Sequence, residues 1–149
     1  VATGKGAEPP ARQVTTAGFR TLAGESASLA DYRGRVVVLN LWGTWCVPCR
    51  RELPELAEIE RAYGDRGVTV IGIAVESGDP TEIRAFADRY GVQYPIWVTD
   101  TPTALAEFEA VGYPFTLLIA PDGTIRHRFY GPQSVESLAP RIEALLHPS

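Results

Sequence analysis

An α/β architecture, with helices packed against a central mixed sheet, is what this sequence predicts, and three observations carry the prediction. Apolar β-forming runs alternate with segments of helical period through the middle of the chain. The run Val68 to Val75 is almost continuously apolar, as in a strand covered on both faces. The chain closes with two β-forming runs joined through Pro121-Asp122-Gly123, followed by an amphipathic segment. At 149 residues there is chain enough for one domain with one core.

Taken in order, residues 1–18 are expected to form a flexible tether, because the opening stretch is small, polar and broken by Gly4, Gly6, Pro9 and Pro10. The folded domain is then expected over 19–149. Phe19 to Leu22 and Ser26 to Leu29 read as two short strands around a Gly24 turn. A strand from Arg35 to Leu41 follows. Leu53, Leu56, Ile59 and Tyr63 recur at helical spacing, with Gly64 and Gly67 as the stop and Pro54 inside. After the Val68 to Val75 strand, Ile83, Phe86, Ala87 and Tyr90 mark an amphipathic helix that starts after Pro80 and stops at Gly91. Tyr94 to Val98 reads as a strand, Thr103 to Glu109 as a short helix, and Phe115 to Ala120 with Thr124 to Tyr130 as a hairpin. The last helix carries Leu138, Ile142 and Leu145 on one face, and Ser137 is its expected N-cap, which puts Pro140 in the first turn.

The chemistry gathers at Trp42-Gly43-Thr44-Trp45-Cys46-Val47-Pro48-Cys49, which holds both cysteines. The pair is spaced C-x-x-C between an apolar strand and a helix. Cys46 falls at the helix N-terminus, where unpaired N–H groups and the helix dipole favour a thiolate. Cys49 lies one turn on, within reach for a small disulfide ring, and serves as the resolving thiol. Pro48 sits in the first turn, where a missing N–H costs little. A zinc site would need two further ligands, and His127 and His147 form no second pair. A structural role for so short a ring is disfavoured, since it removes little chain entropy.

Composition narrows the function. The formal net charge of -4 and the scattered arginines speak against a nucleic-acid partner. No apolar run is long enough to cross a bilayer. The chain contains no Met, so Val1 is read as a cleavage point or an artificial boundary, with a signal peptide or a membrane anchor ahead of it as the two expectations.

Residues 38 to 54, Val-Leu-Asn-Leu-Trp-Gly-Thr-Trp-Cys-Val-Pro-Cys-Arg-Arg-Glu-Leu-Pro, resemble the active-site signature of the extracytoplasmic thioredoxin-like proteins of the TlpA, ResA and CcmG (DsbE-like) type. Gly112 to Ile119 with Pro121-Asp122-Gly123 is similar to that family's cis-proline strand and hairpin, and Thr81 to Tyr90 to its central insert. The resemblance runs from about Phe19 to Leu146. It implies a thioredoxin fold, a central mixed sheet flanked by helices, with an N-terminal β-hairpin extension and a central helical insert. It implies a thiol-disulfide oxidoreductase with Cys46 attacking and Cys49 resolving. Pro114 would be the cis-proline, with Trp45, Val47, Pro48, Tyr113 and Pro114 meeting the client.

Glu52, three residues after Cys49, matches a functional acid of the family, and its place one turn along would let it exchange a proton with Cys49. Asn40 stands where cytoplasmic thioredoxins carry a buried acid, which leaves Glu52 as the proton acceptor. Trp42 is read as packing, and Glu76 and His127 as solvated. The implied clients are disulfide-bearing proteins such as apocytochrome c or a copper-site assembly protein, with a membrane thiol electron donor. The protein is expected to be an extracytoplasmic monomer with no metal and no cofactor beyond the Cys46–Cys49 disulfide. A disulfide-forming oxidase is the alternative, followed by a thiol peroxidase and a copper-carrying chaperone.

Overall fold

The computed structural model describes residues 12–148. Its strands are β1 (Phe19–Thr21), β2 (Ser26–Ala27), β3 (Val36–Trp42), β4 (Val68–Val75), β5 (Ile96–Thr99), β6 (Phe115–Ile119) and β7 (Ile125–Tyr130). They form one sheet in the order β2-β1-β5-β4-β3-β6-β7. The β3–β4 and β4–β5 pairs are parallel, and the other pairs are antiparallel. The apolar run at β4 therefore occupies the middle of the sheet. The helices are α1 (Val47–Tyr63), α2 (Pro80–Arg89), α3 (Thr101–Phe108) and α4 (Val135–Leu146). This is a thioredoxin fold with a mixed sheet, an added N-terminal hairpin (β1–β2) and an inserted helix (α2).

Because side chains alternate along a strand, β3 and β4 feed two cores. Val36, Val38, Trp42, Val68, Val70 and Ala74 face α1, α2 and α4, where Leu53, Leu56, Ile83, Phe86 and Ile142 meet them. Val37, Leu39, Leu41, Ile71, Ile73 and Val75 face the other way, toward Ala104 and Phe108 of α3 and toward Phe19 and Trp97. Burial on both faces explains why these strands read as unbroken apolar runs.

Of the tether expected over residues 1–18, residues 1–11 lie outside the described residues. From Arg12 on, the chain is packed: Val14 is buried, its N–H donates to Gly123 O at 2.8 Å, and Ile125 N–H donates to Arg12 O at 2.8 Å. A segment that looks like linker in sequence thus packs against the β6–β7 hairpin.

Helix α1 runs through Pro54 and ends at Gly64, a short 3-10 turn and Gly67, whose φ of 94° only glycine adopts without strain. Arg35 satisfies carbonyls there, donating to Gly64 O at 2.9 Å and Val68 O at 2.8 Å. The start of α4 differs from expectation. Ser134, not Ser137, is the N-cap, and the two serines form a reciprocal capping box. Pro140 then lies in the second turn, where the missing N–H removes one helical hydrogen bond that the capping box and the burial of Leu138, Ile142 and Leu145 outweigh. Helix α2 starts at Pro80 itself, with the Asp79 carboxylate accepting from Thr81 N–H at 2.7 Å.

Candidate active site

The loop that delivers the cysteines is pinned to the end of β4. Trp45 Nε1 donates to Val75 O at 2.9 Å, and Thr44 N–H donates to Ser77 Oγ at 3.0 Å. Gly43 makes this possible, since a Cβ there would stand 2.4 Å from the Trp45 indole. The chain enters α1 with Cys46 as N-cap in an extended conformation, its side chain making no capping hydrogen bond. The Cys46 sulfur thus stands at the helix N-terminus, where the first-turn N–H groups have no side-chain cap. Cys46 and Cys49 are joined as a disulfide, with their Cα atoms 5.3 Å apart.

Accessibility differs sharply between the cysteines and their neighbours in the motif. Trp45 is 51% exposed and Val47 66%, whereas Cys46 is 5% exposed and Cys49 1%. Cys46 is the less buried of the two, and it lies between two exposed apolar side chains. Pro48 is exposed as well. Trp42 is wholly buried and stacks on Phe86 with ring centroids 5.7 Å apart, which is the packing role expected of it.

The Tyr113–Pro114 peptide is cis. Tyr113 meets the motif loop directly, edge-on to Trp45 at 5.5 Å. Pro114 is buried and its carbonyl accepts from Gly131 N–H at 3.0 Å, while the Tyr113 peptide makes no hydrogen bond among the described residues. Glu76, at the end of β4, is exposed and accepts from Thr101 N–H at 2.9 Å, so it caps α3. His127 stacks on Phe129 within β7. Among the described residues no group of three or more His, Cys, Asp or Glu side chains is arranged to hold a metal ion.

Beneath the disulfide lies a buried polar cluster. Asn40, Glu52 and Thr116 are the buried polar side chains of the described residues, and all three belong to one hydrogen-bonded group. Asn40 Nδ2 donates to Glu52 Oε1 at 2.7 Å and to Thr116 Oγ1 at 3.1 Å. Thr116 Oγ1 donates to Glu52 Oε2 at 3.5 Å, and Gln133 N–H donates to the same oxygen at 2.8 Å. Asn40 and Thr116 are register partners across β3 and β6, so the sheet itself sets their spacing. Burial pushes the Glu52 carboxyl up to about 7, and the hydrogen bonds from Gln133, Asn40 and Thr116 hold it from rising further. An acid one turn beyond Cys49 is thus close to half ionised at neutral pH.

The sequence singled out Glu52 and named Asn40, but it did not show that Asn40, Thr116 and Gln133 hold the Glu52 carboxyl. Asn40 and Thr116 had a readable signal: each is the lone strongly polar side chain facing inward in an otherwise apolar strand. Gln133 had none, because it acts through its backbone N–H.

The AhpC/TSA family model matches residues 9–128. This chain belongs to that family. Within it, this thioredoxin-like protein is 34% identical over 125 residues to the thiol-disulfide oxidoreductase ResA of Geobacillus kaustophilus, covering 83% of this chain and 71% of the relative. It is 32% identical over 127 residues to the thioredoxin-like protein YneN of Bacillus subtilis, covering 84% and 74%. The crystal structure of a DsbF homologue from Corynebacterium diphtheriae superposes with a TM-score of 0.81 at 30% identity, covering 91% of this chain and 87% of that one. This thioredoxin-like protein is a dithiol/disulfide exchange enzyme related to the ResA and DsbE proteins, and its redox-active group is the Cys46–Cys49 disulfide.

Proposed function

We propose that the chain is a reductase of disulfides in extracytoplasmic partner proteins. The observation that carries this reading is Glu52, a buried carboxyl poised near neutrality one turn beyond the resolving cysteine. A carboxylate inside the site disfavours a second negative charge on the thiols, so the reduced form gains little from ionisation and gives up its electrons more readily.

In the proposed cycle the Cys46 thiolate attacks one sulfur of the client disulfide. That bond breaks, a mixed disulfide forms, and the first client sulfur leaves as a thiolate. Glu52 accepts the proton of Cys49. The Cys49 thiolate then attacks Cys46, releasing the second client thiolate and closing the Cys46–Cys49 disulfide. Two electrons have passed to the client, and a membrane thiol donor returns them. Trp45, Val47, Pro48, Tyr113 and Pro114 form the surface that receives the client, whose backbone pairs with the free Tyr113 peptide.

The client classes are those the family resemblance implies, apocytochrome c awaiting haem or a copper-site assembly protein. The protein acts as a monomer outside the cytoplasm. Replacing Cys49 by Ser tests the scheme, because the mixed disulfide then has no resolving thiol. Incubated with oxidised apocytochrome c, the variant should retain the client in a covalent complex that dithiothreitol releases. Failure to retain either client class would contradict the reading.

A further inference from the structure

On the sheet face beneath α1, three buried side-chain atoms have no hydrogen-bond partner among the described residues: Asn40 Oδ1, Trp42 Nε1 and Tyr94 Oη. The side chains that carry them are grouped around Gly72 of β4. Asn40 and Trp42 are two residues apart on β3 and share a face. Asn40 is in register with Gly72 of β4. A Cβ on Gly72 would stand 3.0 Å from Trp42 Nε1 and 3.1 Å from Tyr94 Cε1. The missing side chain lets the indole and the phenol settle onto the sheet beside Asn40.

Buried polar groups are with few exceptions satisfied, so three unpaired ones around a single glycine call for a shared partner. Their chemistry fits a water molecule. The indole N–H only donates, the amide oxygen only accepts, and the hydroxyl does either. Three polar partners are what a buried water ordinarily has.

We propose that an ordered water joins Trp42 Nε1, Tyr94 Oη and Asn40 Oδ1, and that through it Tyr94 is a positioning residue for the proton held by Glu52. The water accepts from the indole and donates to Asn40 Oδ1. That fixes the amide with its NH2 group on Glu52 Oε1 and polarises it, which strengthens the bond to the carboxylate. The charged groups facing Tyr94 are Glu52 and Glu60 of α1 and Arg84 of α2. Burial holds the Tyr94 phenol well above its ordinary value, so it stays neutral while Glu52 titrates. The consequence for exchange chemistry rests on the reading of Glu52 as the proton acceptor of Cys49.

The test is Tyr94→Phe in the oxidised protein, with the Glu52 carboxyl followed by carbon NMR across pH. Loss of the hydroxyl should loosen the water and weaken the Asn40 bond, raising the Glu52 midpoint by about half a pH unit or more. A purely packing role for Tyr94 would leave the midpoint where it is, and that result would overturn the proposal. A crystal structure of the oxidised wild type should show a water within hydrogen-bond distance of the three atoms, and its absence from clear density would overturn it equally. Neither measurement involves a client. If instead Glu52→Gln left disulfide exchange untouched, the catalytic reading would fail and the water would stand.

Discussion

Replacing Glu52 by Gln removes the buried carboxyl of the described structure, and its effect on stability follows from the raised pKa. The carboxyl titrates at 4.5 in its ordinary state and at about 7 in the fold. Below the lower value both folded and unfolded chains hold the proton, and stability carries no penalty from this group. Between the two values the unfolded chain releases its proton and the folded one does not, so stability falls as pH rises. Above about 7 both are ionised and the loss levels off, at about 3 kcal/mol for a difference of this size. Glutamine has no proton to release. Its NH2 group also cannot accept from Gln133 N–H or Asn40 Nδ2, which adds an offset that does not vary with pH. Urea unfolding of the oxidised proteins from pH 4 to pH 8, where the disulfide keeps both cysteines from titrating, separates the two effects. The Glu52→Gln variant should gain on the wild type by about 3 kcal/mol across this window. Parallel stability curves for the two proteins would refute the argument that burial of Glu52 dominates its titration.

Three other outcomes follow from the same geometry. Glu52→Gln should slow the attack of Cys49 on a mixed disulfide at Cys46 by about a hundredfold at pH 7, within the range that a positioned base supplies; stopped-flow release of a chromogenic thiol from a preformed adduct reads this, and an unchanged rate removes Glu52 from the proton path. Gly43→Ala brings a Cβ to 2.4 Å from the Trp45 indole, so the ring must leave and its bond to Val75 O must break. A stability loss of about 1–3 kcal/mol is expected in thermal unfolding, with a change in tryptophan emission. Ser134→Ala removes one half of the α4 capping box and should cost about 1 kcal/mol. Because Gln133 immediately precedes it and holds Glu52, the Glu52 midpoint should rise in the same variant, and a fixed midpoint would show that the turn is held by other contacts.

Much of the fold is legible in the sequence because burial on both faces leaves unbroken apolar strands, and β3 and β4 sit where such runs must sit. The cysteine pair and Glu52 are legible because helical spacing places i and i+3 on neighbouring turns. The start of α4 was not. Pro140 argued for a later N-cap, but Ser134 and Ser137 cap each other's backbone, and that reciprocity outweighs one lost helical bond. The strand expected from Tyr94 begins at Ile96 instead. Pro95 has no N–H to give the ladder, though its carbonyl still accepts from Gly72 N–H at 2.9 Å. Gln133 escaped notice for a different reason, since a side-chain identity carries no information about where a backbone donor will point. The unpaired groups around Gly72 are likewise visible only once β3, β4 and the segment leading into β5 are brought side by side.

The direction of electron flow is tested most directly by the equilibrium reduction potential of Cys46–Cys49 in glutathione buffers, read through Trp45 and Trp42. A reductase whose buried carboxyl disfavours a second negative charge on the thiols should have a potential near that of thioredoxin, about -270 mV. A potential near about -120 mV would mark a disulfide donor with a stabilised reduced form and would contradict the account.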